Sequence, residues 1–204
     1  MESNVFKLSN AGGMTSRTRY WSMLAGNTTW VPFTPTGSYE SIATVTVGAG
    51  GSANITFSSI PSTYQHLQIR LIARSAKTSS ADNLRIQFNS DTANNYASHE
   101  LYGTGSSAAA YAETSTSSTY ADYIASDYNS ANIFGVGVID VLDYVSTNKY
   151  KTIRVLSGYD ANGSGGISFS SGLWQSTNAI TSIKIYFGAN NLQQYSTAAL
   201  YGVK

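Results

Sequence analysis

Hydrophobic and polar positions alternate with a period of two along most of the chain after Tyr39. Residues 65–74 show this best. Leu67, Ile69, Leu71 and Ala73 fall on one side of an extended segment, and His66, Gln68, Arg70 and Arg74 on the other, with Ile72 as an exception on the polar side. Leu84, Ile86 and Phe88 alternate in the same way with Arg85 and Gln87. Further strands are predicted at 41–47, 54–57, 96–102, 134–145, 150–156, 167–174, 181–187 and 198–203. In the 41–47 strand the inward face is ambiguous, because Ile42 and Thr44 compete with Val45 and Val47. Gly48-Ala49-Gly50-Gly51 predicts a hairpin between 41–47 and 54–57, and Asn94-Asn95, Asn162-Gly163 and Ala189-Asn190-Asn191 mark further turns. No helical period is sustained beyond about two turns. Roughly nine or ten short strands separated by Gly and Asn turns predict an all-β fold, a two-sheet sandwich of jelly-roll type.

Two segments break the pattern. Residues 1–38 show no sustained period, yet hold Trp21 and Trp30 of the three tryptophans, all three methionines and two of the three prolines. Pro32 and Pro35 stiffen the stretch to Gly37, since proline fixes its own φ and pushes its predecessor toward extended backbone. The segment is therefore read as an extended anchoring arm on a domain spanning 39–204. A short helical turn is expected at 18–24, bracketed by Gly12-Gly13 and Gly26. An apolar arm without a core of its own needs a surface to lie on. Its candidate docking residues are Phe6, Leu8, Tyr20, Trp21, Met23, Leu24, Trp30 and Phe33, with Arg17 and Arg19 as polar contacts. Burying each large apolar side chain contributes about 1.5–3 kcal/mol before ordering costs.

The second break is 104–132, poor in large aliphatics and rich in Ser, Ala and Thr. It is expected to be a long excursion between strands, with a short strand near 120–124. Tyr111, Tyr120, Tyr123 and Tyr128 are spread along it as a candidate ligand-binding platform. Tyrosine offers large contact area, a polar tip and few rotors. Against this stands its plain strand propensity.

Composition narrows the classes. Charged residues make up 11% of the 204, against about 25% in an average soluble domain. A net charge of +1 gives no electrostatic case for nucleic acid or an anionic membrane. The absence of cysteine excludes a disulfide scaffold, a thiolate metal site and a cysteine nucleophile. No secretory signal is visible in Met1–Leu8, and no apolar stretch approaches the roughly 18 residues of a membrane span.

Candidate chemistry is sparse. His66 lies on the polar side of its strand and His99 precedes Glu100, and no nucleophile-elbow pattern marks a Ser-His-Asp site. Asp160-Ala161-Asn162-Gly163-Ser164-Gly165 fits the first half of a calcium loop, but Ser171 stands where the bidentate glutamate belongs. A hairpin turn at Asn162-Gly163 is the reading adopted, and Asp91, Asn94 and Asn95 are read the same way. Asp140 and Asp143, three apart on a strand, face opposite sides, so no acid/base pair is implied, and Arg154 is the expected partner of Asp140. No cofactor, metal site or catalytic residue is therefore assigned, and the chain is read as no enzyme. An enzyme acting on surface polysaccharide would need a carboxylate cluster in a groove.

Three stretches carry a resemblance. Lys7-Leu8-Ser9-Asn10-Ala11-Gly12-Gly13, with Thr18-Arg19-Tyr20 and Met23-Leu24-Ala25-Gly26-Asn27, resembles the opening of small structural proteins of tailed bacteriophages. Tyr39-Glu40-Ser41-Ile42-Ala43 and 60–70 resemble their β-domain core, and Ala199-Leu200-Tyr201-Gly202-Val203-Lys204 is similar to their last strand. The resemblance implies a virion protein assembled in the host cytoplasm, of capsid decoration, cement, head-fibre or tail-fibre type. Its implied partners are the major capsid protein or other virion subunits, and copies of itself, as a homotrimer. The alternative it leaves open is a tail-fibre or tail-tip receptor-binding protein that takes a host surface glycan.

Overall fold

The computed structural model describes residues 37–121 and 123–204, together with three short strands before them. The chain divides into two compact units, Met1–Ser38 and Tyr39–Lys204.

In the first unit, β1 (Val5–Lys7), β2 (Tyr20–Ser22) and β3 (Val31–Phe33) form an antiparallel sheet in the order β1-β2-β3. The helical turn expected at 18–24 is thus replaced at Tyr20–Ser22 by a strand. Its Tyr-Trp pair has high strand propensity, and two neighbouring strands satisfy its backbone.

The second unit is a two-sheet sandwich, and among the described residues there is no helix. Its strands are β4 (Tyr39–Thr46), β5 (Asn54–Phe57), β6 (His66–Ala73), β7 (Leu84–Phe88), β8 (Tyr96–Gly103), β9 (Ala108–Thr116), β10 (Thr119–Tyr120), β11 (Gly135–Val141), β12 (Lys151–Asp160), β13 (Gly165–Trp174), β14 (Ile183–Phe187) and β15 (Thr197–Val203). The large sheet has eight strands in the order β4-β15-β6-β11-β12-β13-β8-β9, and the small one four in the order β10-β7-β14-β5. All pairings are antiparallel.

The core lies between the sheets. Leu67, Ile69, Leu71 and Ala73 of β6 point inward as their alternation demands, and meet Ile55, Leu84, Ile86, Phe88, Ile183 and Ile185 of the small sheet. The ambiguity of β4 has a physical cause. Leu200 pairs with Ala43 and Tyr201 with Ser41, so Ile42 is an extra residue in a bulge that flips the alternation.

Three expectations are corrected. The glycines at 48–51 do not close a hairpin, because β4 pairs with β15 and β5 with β14. Gly50 and Gly51 take positive φ of 91° and 77° to turn the chain from one sheet into the other. The 104–132 excursion contains the nine-residue strand β9, the edge of the large sheet. Alanine, serine and threonine supply backbone for a ladder without marking an apolar face. Arg74, expected on the polar side, is buried just beyond β6. It donates to Asp127 Oδ1 at 3.1 Å and to the carbonyls of Asn129, Ser130 and Ile133 at 2.9, 3.0 and 2.7 Å, fixing the 127–133 loop.

Candidate functional site

The large sheet carries its apolar residues on the wrong side at one end. On β13, Ser168, Ser170, Gly172 and Trp174 face the interior, while Ile167 and Phe169 face outward. On β8, Ser98 and Glu100 are buried and Leu101 is exposed. The cause is close packing by the segment that follows β9. Thr119 Oγ1 sits 2.9 Å from Ser98 Oγ, and the Tyr120 amide donates to Ser98 Oγ at 3.0 Å. A Cβ added at Gly172 would lie 2.0 Å from Thr119 Oγ1. At Ser98 and Gly172 only a small side chain fits beneath β10, and neighbouring bulky members of the alternation face out.

The register aligns these outward residues into rows. Val138 pairs with Leu156, Leu156 with Phe169, Phe169 with Leu101, and Leu101 with Ala110, one unbroken apolar line from β11 to the edge strand β9. The next row reads Ile72, Val136, Gly158, Ile167 and Gly103. Val138 is 39% exposed and Ile167 60%, with Ile72, Leu101, Val136, Leu156 and Phe169 between these limits. Side chains of this size leave roughly 700 Å² of apolar surface in one patch, more than the 300–600 Å² typical of the largest patch on a monomer. Where Gly158 interrupts the second row, a depression of about 420 Å³ opens, lined by Val136, Val138, Leu156, Gly158, Tyr159 and Ile167.

A polar row borders the patch. Arg154 Nη2 donates to Asp140 Oδ2 at 2.8 Å, which is the partnership expected from the sequence, and Gln68 Nε2 donates to Asp140 Oδ1 at 2.9 Å. Arg70 ends the first row, its guanidinium lying 5.2 Å from the Tyr201 ring centroid and 5.7 Å from that of Tyr39. Apolar centre and self-neutralised polar rim are the anatomy of a protein–protein contact.

The candidate tyrosines do not form one platform. Tyr120 is 7% exposed, its ring edge-on to Tyr111 at 5.9 Å and capped by Arg85 at 4.3 Å, which also donates to its hydroxyl at 2.8 Å. Burial pushes the Tyr120 hydroxyl up to about 12, with Arg85 opposing and Glu113 reinforcing the rise. Tyr123 stacks on Tyr102 at 5.4 Å. Tyr111 and Tyr128 are exposed. Of the arm's candidate residues, Phe6, Tyr20, Trp21 and Phe33 lie in the described strands, where the backbone register sets Phe6 opposite Trp21 and Tyr20 opposite Phe33. Leu8, Arg17, Arg19, Met23, Leu24 and Trp30 lie outside the described residues.

Several other candidate polar groups are engaged by their neighbours. His66 Nδ1 accepts from the Asp143 amide at 2.9 Å, and Asp143 pairs with Lys149. Asp160 accepts from the Asn162 amide at 2.7 Å inside the β12–β13 hairpin, where Asn162 and Gly163 take φ of 55° and 109°, as the turn reading requires. Asp91 accepts from the Ala93 amide, Asn95 Nδ2 and Trp174 Nε1 at 2.9, 2.9 and 2.7 Å. Among the described residues no group of three His, Asp or Glu side chains could hold a metal ion, and no helix is long and apolar enough to cross a membrane. Comparison with protein-family models, curated proteins and solved structures gave no match.

Proposed function

We propose that this protein is a non-enzymatic structural protein of a bacteriophage virion, a capsid decoration or cement protein. In this reading residues 1–38 dock on the major capsid protein or another virion subunit, and the β-sandwich is the displayed body. The single observation that carries it is the apolar face of the large sheet. A patch of roughly 700 Å² set on a rigid sheet, with a polar rim, suits a chain that works by packing against other subunits. In support of this reading, the Asp140, Asp143, Asp160 and Asp91 carboxylates are each engaged by their own neighbours.

The test is addition of the purified chain, with and without residues 1–37, to particles lacking it. Binding that needs residues 1–37 supports the reading; equal binding by both forms overturns docking through the arm. Receptor binding at a tail fibre or tail tip is the second reading, favoured by the exposure of Tyr111 and Tyr128, at 48% and 65%. Glycan-array binding that is lost in Tyr111→Ala or Tyr128→Ala would replace the first reading with it.

A further inference from the structure

We infer that the apolar face of the large sheet is covered by a second copy of this chain, packed face to face about a two-fold axis. This deepens the assembly reading above, on which it rests, by naming the occupant of the face.

The row of Val138, Leu156, Phe169 and Leu101 is a ridge, because each of its positions carries a large side chain. The adjoining row is notched at Gly158 and Gly103, which contribute no side chain, while Ile72, Val136 and Ile167 stand up beside the notches. The notch at Gly158 admits no side chain of its own, since a Cβ there would meet the Gly166 carbonyl oxygen at 2.6 Å. The two rows run parallel on one sheet. A two-fold axis parallel to the rows and midway between them sets Leu156 of each copy over the depression at Gly158 of the other and Leu101 over Gly103, with Phe169 against Ile167 and Val138 against Val136. One patch is then self-complementary, which is what an isologous contact needs.

Area and charge agree with this. Roughly 700 Å² per copy approaches the about 800 Å² that each partner gives to a standard stable interface. No charged side chain stands between Val138 and Leu101 in the ridge, so bringing two identical faces together opposes no like charges there. The ionised groups that border the patch are Arg70 at the end of the first row, Asp160 beside the depression, and Asp140 with Arg154, which neutralise each other at the rim. Two β-faces stacked in this way resemble the packing inside a sandwich, where the side chains of the two facing sheets interdigitate. A ring of three copies about a three-fold axis cannot achieve it, because a face meets its own equivalent only across a two-fold axis.

The experiment is sedimentation of the full-length chain over concentrations up to roughly 100 µM, the range in which an interface of standard size associates. The expected particle has the mass of two chains. Phe169→Asp and Leu156→Asp, both on the outer face, are expected to weaken association at least roughly 30-fold while leaving the circular dichroism and melting temperature unchanged. Because the chain has no cysteine, Leu156→Cys can be joined by a short bismaleimide, and two linked chains are expected. Tyr195→Cys, 68% exposed but outside both rows, is expected to give none. A chain that stays monomeric, a closed trimer, or a dimer indifferent to Phe169→Asp and Leu156→Asp each overturns the inference. A monomer would leave particle docking through residues 1–38 standing, and a dimer that binds no particle would leave this contact standing, so the two failures are distinguishable.

Discussion

Trp174 Nε1 donates to Asp91 Oδ2 across 2.7 Å, joining the end of β13 to the turn that follows β7. The same indole joins a three-ring cluster, 6.2 Å from the Tyr96 ring and 5.6 Å from that of Phe88, which lie 6.4 Å from each other. Burial pushes the Asp91 carboxyl up, but its hydrogen bonds from Asn95, Ala93 and Trp174 outweigh this, and its pKa lies below the ordinary 3.8. A depressed folded-state pKa contributes stability above the unfolded value and loses it as pH falls through the folded one. Asp91→Asn is therefore expected to lower stability at pH 7 and to flatten the stability-against-pH curve below 3.8. Urea melts of both proteins from neutral to acid pH check this; parallel curves would refute it.

Lys151 is the most deeply placed cation of the sandwich, at 1% exposure. Its ammonium donates to the carbonyls of Ser146, Lys149 and Thr177 at 2.6, 3.0 and 3.2 Å, tying two loops to the start of β12. Lys151→Met keeps the stem and strands three acceptors. A loss of about 2–3 kcal/mol is expected, read as an earlier denaturation midpoint with an unchanged slope.

The hydroxyls of Tyr96 and Tyr120 are both held above their usual pKa of 10, burial being the main cause. A raised folded-state pKa gives stability that is complete below the unfolded value and is lost as pH rises through the folded one. Alkaline titration is expected to show tyrosinate absorbance from the exposed tyrosines first. The signal from Tyr96 and Tyr120 should appear only together with unfolding. Tyr120→Phe should remove part of that coupling.

Gly172 marks the closest approach of the large sheet to β10. An added methyl would meet Thr119 Oγ1 at 2.0 Å and Ile153 Cγ1 at 2.8 Å. Gly172→Ala is expected to cost about 1–3 kcal/mol by overpacking. Combining it with Thr119→Ala, which removes the clashing oxygen, should recover part of the loss, as a double-mutant cycle would measure.

Much of the sandwich is written in its alternation. The inward faces of β6 and β7, the turn at Asn162-Gly163 and the pairing of Arg154 with Asp140 follow from spacing and residue chemistry alone. What spacing does not convey is which sheet a strand joins. Gly50 and Gly51 announce a turn with equal clarity whether the chain doubles back or crosses the core. Strand β9 is hidden because Ala108, Ala109 and Ala110 carry no apolar mass to alternate. The exposed face is the deepest omission. Period two separates Ile167 and Phe169 from Ser168 and Ser170, but transfer energies place the first pair inside. The reverse holds where Thr119 and Tyr120, about fifty residues upstream, pack onto Ser98 of the adjoining strand and onto Gly172 of β13 itself. No local window contains that fact.

The position of β15 constrains how this protein can come into being. This last strand lies between the first, β4, and the third, β6, and is the only neighbour β4 has in the large sheet. In synthesis β4 is made early and stays without this partner until residues 197–203 are available. The hairpins β11–β12 and β12–β13 need no such delay, since they close locally. Until then the large sheet lacks the strand that joins β4 to β6, and a chain cut short of residue 197 exposes that gap. Chaperone dependence should accordingly fall on the interval before residues 197–203 are available, and a permuted chain in which β15 precedes β4 should escape it.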